Sequence, residues 1–170
     1  TKRVIELMPP HLHYDLWLGP AAERPFHESY HPAGWRRYWD FGGGTLADMG
    51  CHYLDLAFWA LGLGQPTSIR AQGPPVDGYA APHSLEVEWQ FPGRDTQPPV
   101  TLRWYDGTRS CTKLGELGLA HWKNGVLFVG ERGGKIFSLP GDRNATEATL
   151  SLDTAKLIQR INAAGKPPVA

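Results

Sequence analysis

The stretch WRRYWDFGGGTLADMGCHYLDLAFWALGL, Trp35–Leu63, decides the fold. An aromatic and basic cluster leads into three glycines, Gly42, Gly43 and Gly44, and then into an apolar pattern of helical period. Thr45 after the glycines predicts an N-cap, with Asp48 at the third helical position as a weak capping box. Gly62, Gly64 and Pro66 mark the helix end. Within the helix, Asp48, His52 and Asp55 stand at i, i+4 and i+7 and share one face. A polar stripe on an apolar helix needs partners or water, because an unpaired buried polar group costs about 1–3 kcal/mol. In one reading Asp48 is a capping carboxylate and His52 a core imidazole bonded to it. In the other, Asp48 holds the His52 tautomer while the imidazole faces a substrate as proton donor or acceptor. The helix N-terminus disfavours a charged imidazole and the adjacent carboxylate favours it, an opposition that suits proton exchange near neutrality. Gly50 costs about 1 kcal/mol relative to alanine in mid-helix, which predicts a close packing neighbour there.

Upstream, Val4–Met8 reads as a short strand stopped by Pro9 and Pro10, and His11–Arg24 as a loop with aromatic anchors. His11 and His13 alternate as two ligands on an extended segment would, with Asp15 beyond them, a weak metal pattern. His27 and His31 lie between Pro25 and Pro32 and read as solvated loop histidines. Downstream the period changes to two. Thr67–Gln72 predicts a strand. Ser84–Phe91 alternates Leu85, Val87, Trp89 and Phe91 against Glu86, Glu88 and Gln90. Val100–Tyr105 alternates again, with Asp106-Gly107 as a turn. Gly125–Val129 and Lys135–Leu139 predict a hairpin turning at Gly133 and Gly134, and Ser151–Ala164 a short amphipathic helix. A major helix followed by consecutive strands predicts one α+β domain over residues 1–170, its open, mostly antiparallel mixed sheet covered by helices on one face.

The chain carries 17 basic and 17 acidic residues, so its formal charge is zero and nothing steers it to nucleic acid or an anionic membrane. No apolar run reaches the 18 or more residues of a membrane span, and Thr1 opens no signal peptide. The expected compartment is cytoplasmic. Cys51 and Cys111 lack metal spacing and read as free thiols in the core. Gly62-Leu63-Gly64 follows a helix rather than a strand, and Gly130–Lys135 lacks Walker spacing, so neither is a phosphate loop. Ser29, Ser110 and Ser138 lack the context of an activated nucleophile. Asp48 and His52 are left as the site candidate.

GGGTLADMGCHYLDLAFWALGLGQPTSI resembles the most characteristic segment of the Gfo/Idh/MocA (glucose-fructose oxidoreductase / inositol dehydrogenase) family: three glycines, a Leu, Asp-x-x-x-His, Asp-Leu and Trp-x-Leu-Gly. These are Gly42–Gly44, Leu46, Asp48 and His52, Asp55-Leu56, and Trp59 to Gly62, with WLGPA at Trp17–Ala21 and WRRYWDF at Trp35–Phe41 as family-like flanks. The resemblance spans Val4 to Leu139 and is to the family's C-terminal domain. It implies a substrate and catalytic domain of an NAD- or NADP-dependent oxidoreductase acting on a sugar, cyclitol or related polyol. By resemblance, His52 is the general acid/base and Asp48 its orienting partner, and the sheet forms a homo-oligomer interface. The family's nucleotide-binding fold and its Glu-Lys-Pro motif find no match here, so this chain alone is expected neither to bind the cofactor nor to turn over. Trp39, Arg36 and Tyr30 are expected to line the sugar site, from their side-chain types and nearness to the motif. Two rivals are a non-catalytic assembly domain with a vestigial Asp48/His52 pair, and a metal hydrolase built on His11 and His13; no metal site is expected.

Overall fold

Helix α2, Gly44–Leu61, is the long element of the computed structural model, which describes residues 8–95, 97–130 and 133–137. Its start differs from expectation. The N-cap is Gly43, in a left-handed conformation at φ +69°, and Thr45 is an exposed residue inside the helix. Asp48 therefore lies beyond the first turn and caps nothing. The cause is the turn before it: the carbonyl of Tyr38 accepts the backbone N–H of Phe41, Gly42 and Gly43 at 3.1, 2.8 and 3.1 Å. That tight reversal starts the helix at the glycines themselves. The end matches the sequence, with Gly62 as C-cap at φ +55°. Gly50 is buried, and a Cβ there would stand 3.2 and 3.5 Å from Leu46 and Leu54 of the same helix.

Three strands form one antiparallel sheet in chain order: β1 Ser68–Gln72, β2 Glu86–Phe91 and β3 Val100–Tyr105. Register puts Ile69, Trp89 and Leu102 in one cross-strand row and Ala71, Val87 and Trp104 in the next, with Phe91 opposite Val100. One face is thus apolar throughout, as the alternation requires. Val87, Phe91 and Trp104 are its buried centre, and burial of each is worth about 1.5–3 kcal/mol. Helix α2 covers that centre, Phe58 edge-on against Phe91 and Tyr53 tilted against Trp104. The other face carries Arg70, Glu86, Glu88, Gln90, Thr101 and Arg103. Gln90 and then Arg103 donate to the Glu88 carboxylate and hold it below the usual carboxylate range. Asp106 joins the strand ends, accepting from Leu85 N–H at 2.6 Å and the Trp104 indole at 2.8 Å.

The β2–β3 hairpin also closes the helix. Arg94 donates to the carbonyls of Leu61 and Gly62, and Gln97 to that of Leu61. A cation at a helix C-terminus meets the negative end of its dipole. Two short helices stand where none was expected, α1 at Tyr14–Leu18 and α3 at Thr112–Glu116. Strands β4 Val126–Gly130 and β5 Gly133–Phe137 form a separate antiparallel pair. Gly133 and Gly134 are paired strand residues opposite Gly130 and Val129, not the turn itself. The expected strand residues Val4 to Leu7, residues 138–139 and the helix Ser151–Ala164 lie outside the described residues. Both cysteines are free, but Cys51 is exposed rather than in the core. Cys111 is half-buried.

A second packed centre lies beside the helix start. Trp17 stacks between Tyr14 and Tyr30, and Phe41 and Tyr38 close on Tyr30. The Arg24 guanidinium, paired with Asp40, lies over the rings of Phe41 and Tyr79. Its Nε and Nη1 are buried without an acceptor, and the negative ring faces are their electrostatic counterpart. The Tyr30 hydroxyl bonds that of Tyr79 at 2.8 Å. Burial first, then that bond, pushes the Tyr30 hydroxyl up to about 12, with Arg24 opposing. An unfolded tyrosine ionises near about pH 10. Between those values the folded chain holds a proton that the unfolded chain has lost, so this stability is full below pH 10 and falls as pH rises. Tyr30→Phe is expected to flatten the alkaline decline of the unfolding free energy, read from urea midpoints across about pH 8 to 11.5; an unchanged slope would place the decline elsewhere.

Candidate functional site

The three glycines are explained by what they touch. A Cβ on Gly42 would lie 2.5 Å from the Cα of Arg36, and one on Gly44 2.6 Å from the Cβ of Ala81. Only glycine lets the 3-10 turn Gly34–Arg37 and the segment around Ala81 close on the start of α2. The turn is fixed further by Trp35 N–H on the Tyr30 carbonyl at 2.8 Å. It presents Arg36 to the helix.

The helix period then sorts the side chains. Gly50 and Ala57 are buried and Tyr53 meets the sheet; Asp48, His52 and Asp55 fall on the opposite side of α2. His52 and Asp55 are exposed and Asp48 is half-buried against the turn. The carboxylate of Asp48 is bonded to Arg36 and not to His52: Arg36 Nε stands 3.0 Å from Asp48 Oδ2. The guanidinium in turn lies over the Trp35 ring at 4.4 Å. His52 is one helical turn on, and among the described residues no hydrogen bond or ion pair holds its imidazole. The Asp48–Arg36 side chains are 33% and 44% exposed, so the pair contributes about 0.2–1 kcal/mol to folding. That is too little to make stability its purpose.

Trp39 and Tyr79 belong to the same neighbourhood. Trp39 is 45% exposed, and its indole N–H donates to the Asp77 carbonyl at 2.9 Å. Its backbone N–H donates to Tyr79 O, and Ala81 N–H to Arg37 O. The Asp77 carboxylate accepts the N–H of Tyr79 and Ala80 and ties the loop. Tyr30, by contrast, is 3% exposed, and its hydroxyl bonds that of the more exposed Tyr79. The structure thus brings Arg36, Asp48 and the helix face of His52 together, sets Trp39 on the flanking loop, and puts Tyr30 in the layer beneath. Tyr79 and Asp77 were missed in the sequence; the Asp-Gly-Tyr after two prolines reads only as a turn.

The cavity of about 560 Å³ lined by Leu12, His13, Tyr14, Leu18, Glu23 and Arg24, among others, lies against α1 and includes none of these residues. His11 and His13 are exposed, and among the described residues no group of three or more His, Cys, Asp or Glu is placed to hold a metal. Nor is any helix among them long and apolar enough to cross a membrane.

The chain matches the family model described as "Oxidoreductase family, C-terminal alpha/beta domain" over residues 1–91, just over half its length. A search of curated proteins returns no match. Gly42→Ala is expected to force the turn away from α2, with a loss of about 1–3 kcal/mol from overpacking in chemical denaturation; an unchanged midpoint would show that the approach to Arg36 is not a constraint.

Proposed function

The chain belongs to the Gfo/Idh/MocA oxidoreductase family, as its C-terminal α/β domain, and from that membership we propose that it is the substrate-binding and proton-transfer part of an NAD(P)-dependent enzyme acting on a sugar, cyclitol or related polyol. One observation carries the reading: His52 stands exposed on the outward face of α2, one turn from a fixed carboxylate. In this reading His52 is the general acid/base at the reacting hydroxyl or carbonyl. Asp48 turns the imidazole and holds a substrate hydroxyl. Trp39, its indole pinned at both ring and backbone, is a flat apolar surface for the C–H face of a sugar ring. Arg36 stands at the rim, and Tyr30 supports Trp39 from below through Tyr79, whose carbonyl accepts the Trp39 N–H.

The described residues do not fit a dinucleotide's phosphates. The three glycines precede a helix, but no described strand feeds them and two of them are filled against Arg36 and Ala81. We therefore assign the cofactor to a nucleotide-binding domain facing α2, where it supplies the hydride chemistry. The residues of this chain bind, orient and exchange a proton.

A second reading, a binding or assembly domain with a vestigial pair, draws on the bonding of Asp48 to Arg36 rather than to His52. The two separate on substitution. In the enzyme joined to its nucleotide domain, His52→Ala is expected to lower kcat by about 10²–10⁴-fold, and Asp48→Asn to lower it with nicotinamide affinity kept. Turnover per folded molecule that survives both changes would favour the assembly domain. Self-association is assigned to the sheet face away from α2, where Arg70, Glu88 and Arg103 make a charged surface. Light scattering is expected to show an oligomer that salt weakens; a monomer at high concentration and low salt would remove the assignment.

A further inference from the structure

We propose that Arg36 is a positioning residue for proton transfer, acting on His52 through Asp48; the inference rests on the oxidoreductase reading above. The guanidinium is constrained from three sides. Its backbone is pressed on Gly42, its plane lies over Trp35 at 4.4 Å, and its Nε holds Asp48 Oδ2 at 3.0 Å. The bond through Nε engages one carboxylate oxygen. Asp48 Oδ1 has no partner among the described residues, and His52 stands four residues on, on the same side of α2. Arg36 thereby fixes the carboxylate's rotamer while leaving the oxygen that an imidazole N–H needs. An exposed histidine has several rotamers and two tautomers. A carboxylate held still selects one of each, leaving the other ring nitrogen to take the proton of a substrate hydroxyl or return it. No bond to Arg36 forms or breaks in that exchange.

The pair is too exposed to be explained by its contribution to folding, and the guanidinium is too closely tied to Asp48 to be a free anion clamp. As a positioning residue Arg36 is expected to affect the rate more than substrate affinity.

Steady-state kinetics of the enzyme joined to its nucleotide domain, with glucose and inositol as probe substrates and NAD or NADP, test this, using Arg36→Met, Arg36→Lys, Asp48→Asn and the Arg36→Met/Asp48→Asn double variant. Arg36→Met is expected to lower kcat by about 10²-fold, the scale of a small misplacement of a reacting group. KM should change far less than kcat, since Arg36 itself is not placed against the substrate. The double variant should be no slower than Asp48→Asn alone, because both changes break one unit. Arg36→Lys, which keeps a donor and the charge, should recover part of the rate. A large rise in KM with kcat kept would make Arg36 a substrate contact and overturn the proposal. So would losses that multiply in the double variant, or an Arg36→Lys variant no faster than Arg36→Met. A wild type that turns over no sugar or polyol would overturn the oxidoreductase reading itself, and the positioning role with it.

Discussion

The site depends on one close approach, the backbone of Gly42 against the backbone of Arg36. A side chain there would overlap main chain, which has no rotamer by which to yield. From that contact follow the entry angle of α2, the place of the 3-10 turn, and the reach of Arg36 to Asp48. The Tyr38 carbonyl, accepting three consecutive amides, holds the chain in the reversal that makes the approach happen. The aromatic centre behind it, from Tyr14 to Tyr79, gives the reversal something rigid to rest on. The sheet supports α2 from the other side. The helix is thus held by apolar packing along one face, and its opposite face is left for chemistry.

Much of this was legible in the chain. The alternation of Val87, Trp89 and Phe91 against Glu86, Glu88 and Gln90 gave the sheet's two faces, and the partner rows followed once Val100–Tyr105 alternated too. The i, i+4, i+7 stripe gave the face of α2 that carries Asp48 and His52. The cap was misread because Ser and Thr are strong N-cap residues while a glycine cap depends on a turn several residues upstream. Cys51 was misread because a thiol is apolar by type, while its exposure depends on which segments pack over that part of α2. The pairing of Asp48 with Arg36 was hidden for a plainer reason. An aspartate four residues from a histidine looks satisfied, and only the fold reveals a competitor twelve residues back. Helices α1 and α3 are five residues each, too short for a period to declare itself.

Family membership and local geometry do different parts of the work. Membership supplies the reaction class, oxidoreductase. Geometry says which side chains in this chain stand free and which are already engaged. Asp48 is engaged by Arg36, while among the described residues no hydrogen bond or ion pair holds His52, so the two are not a bonded dyad.

The closure of α2 by the β2–β3 hairpin has a consequence for how the chain is made. The carbonyls at Leu61 and Gly62 find Arg94 and Gln97 more than thirty residues later. On a ribosome the helix emerges well before the groups that finish it. Its first turns can form at once, because the glycine reversal and Arg36 precede them in the chain, whereas its last turn waits for the hairpin to be synthesised and to zip. The helix is therefore completed from its N-terminal end toward its C-terminal end, and the hairpin that finishes it also carries Phe91, on which it packs.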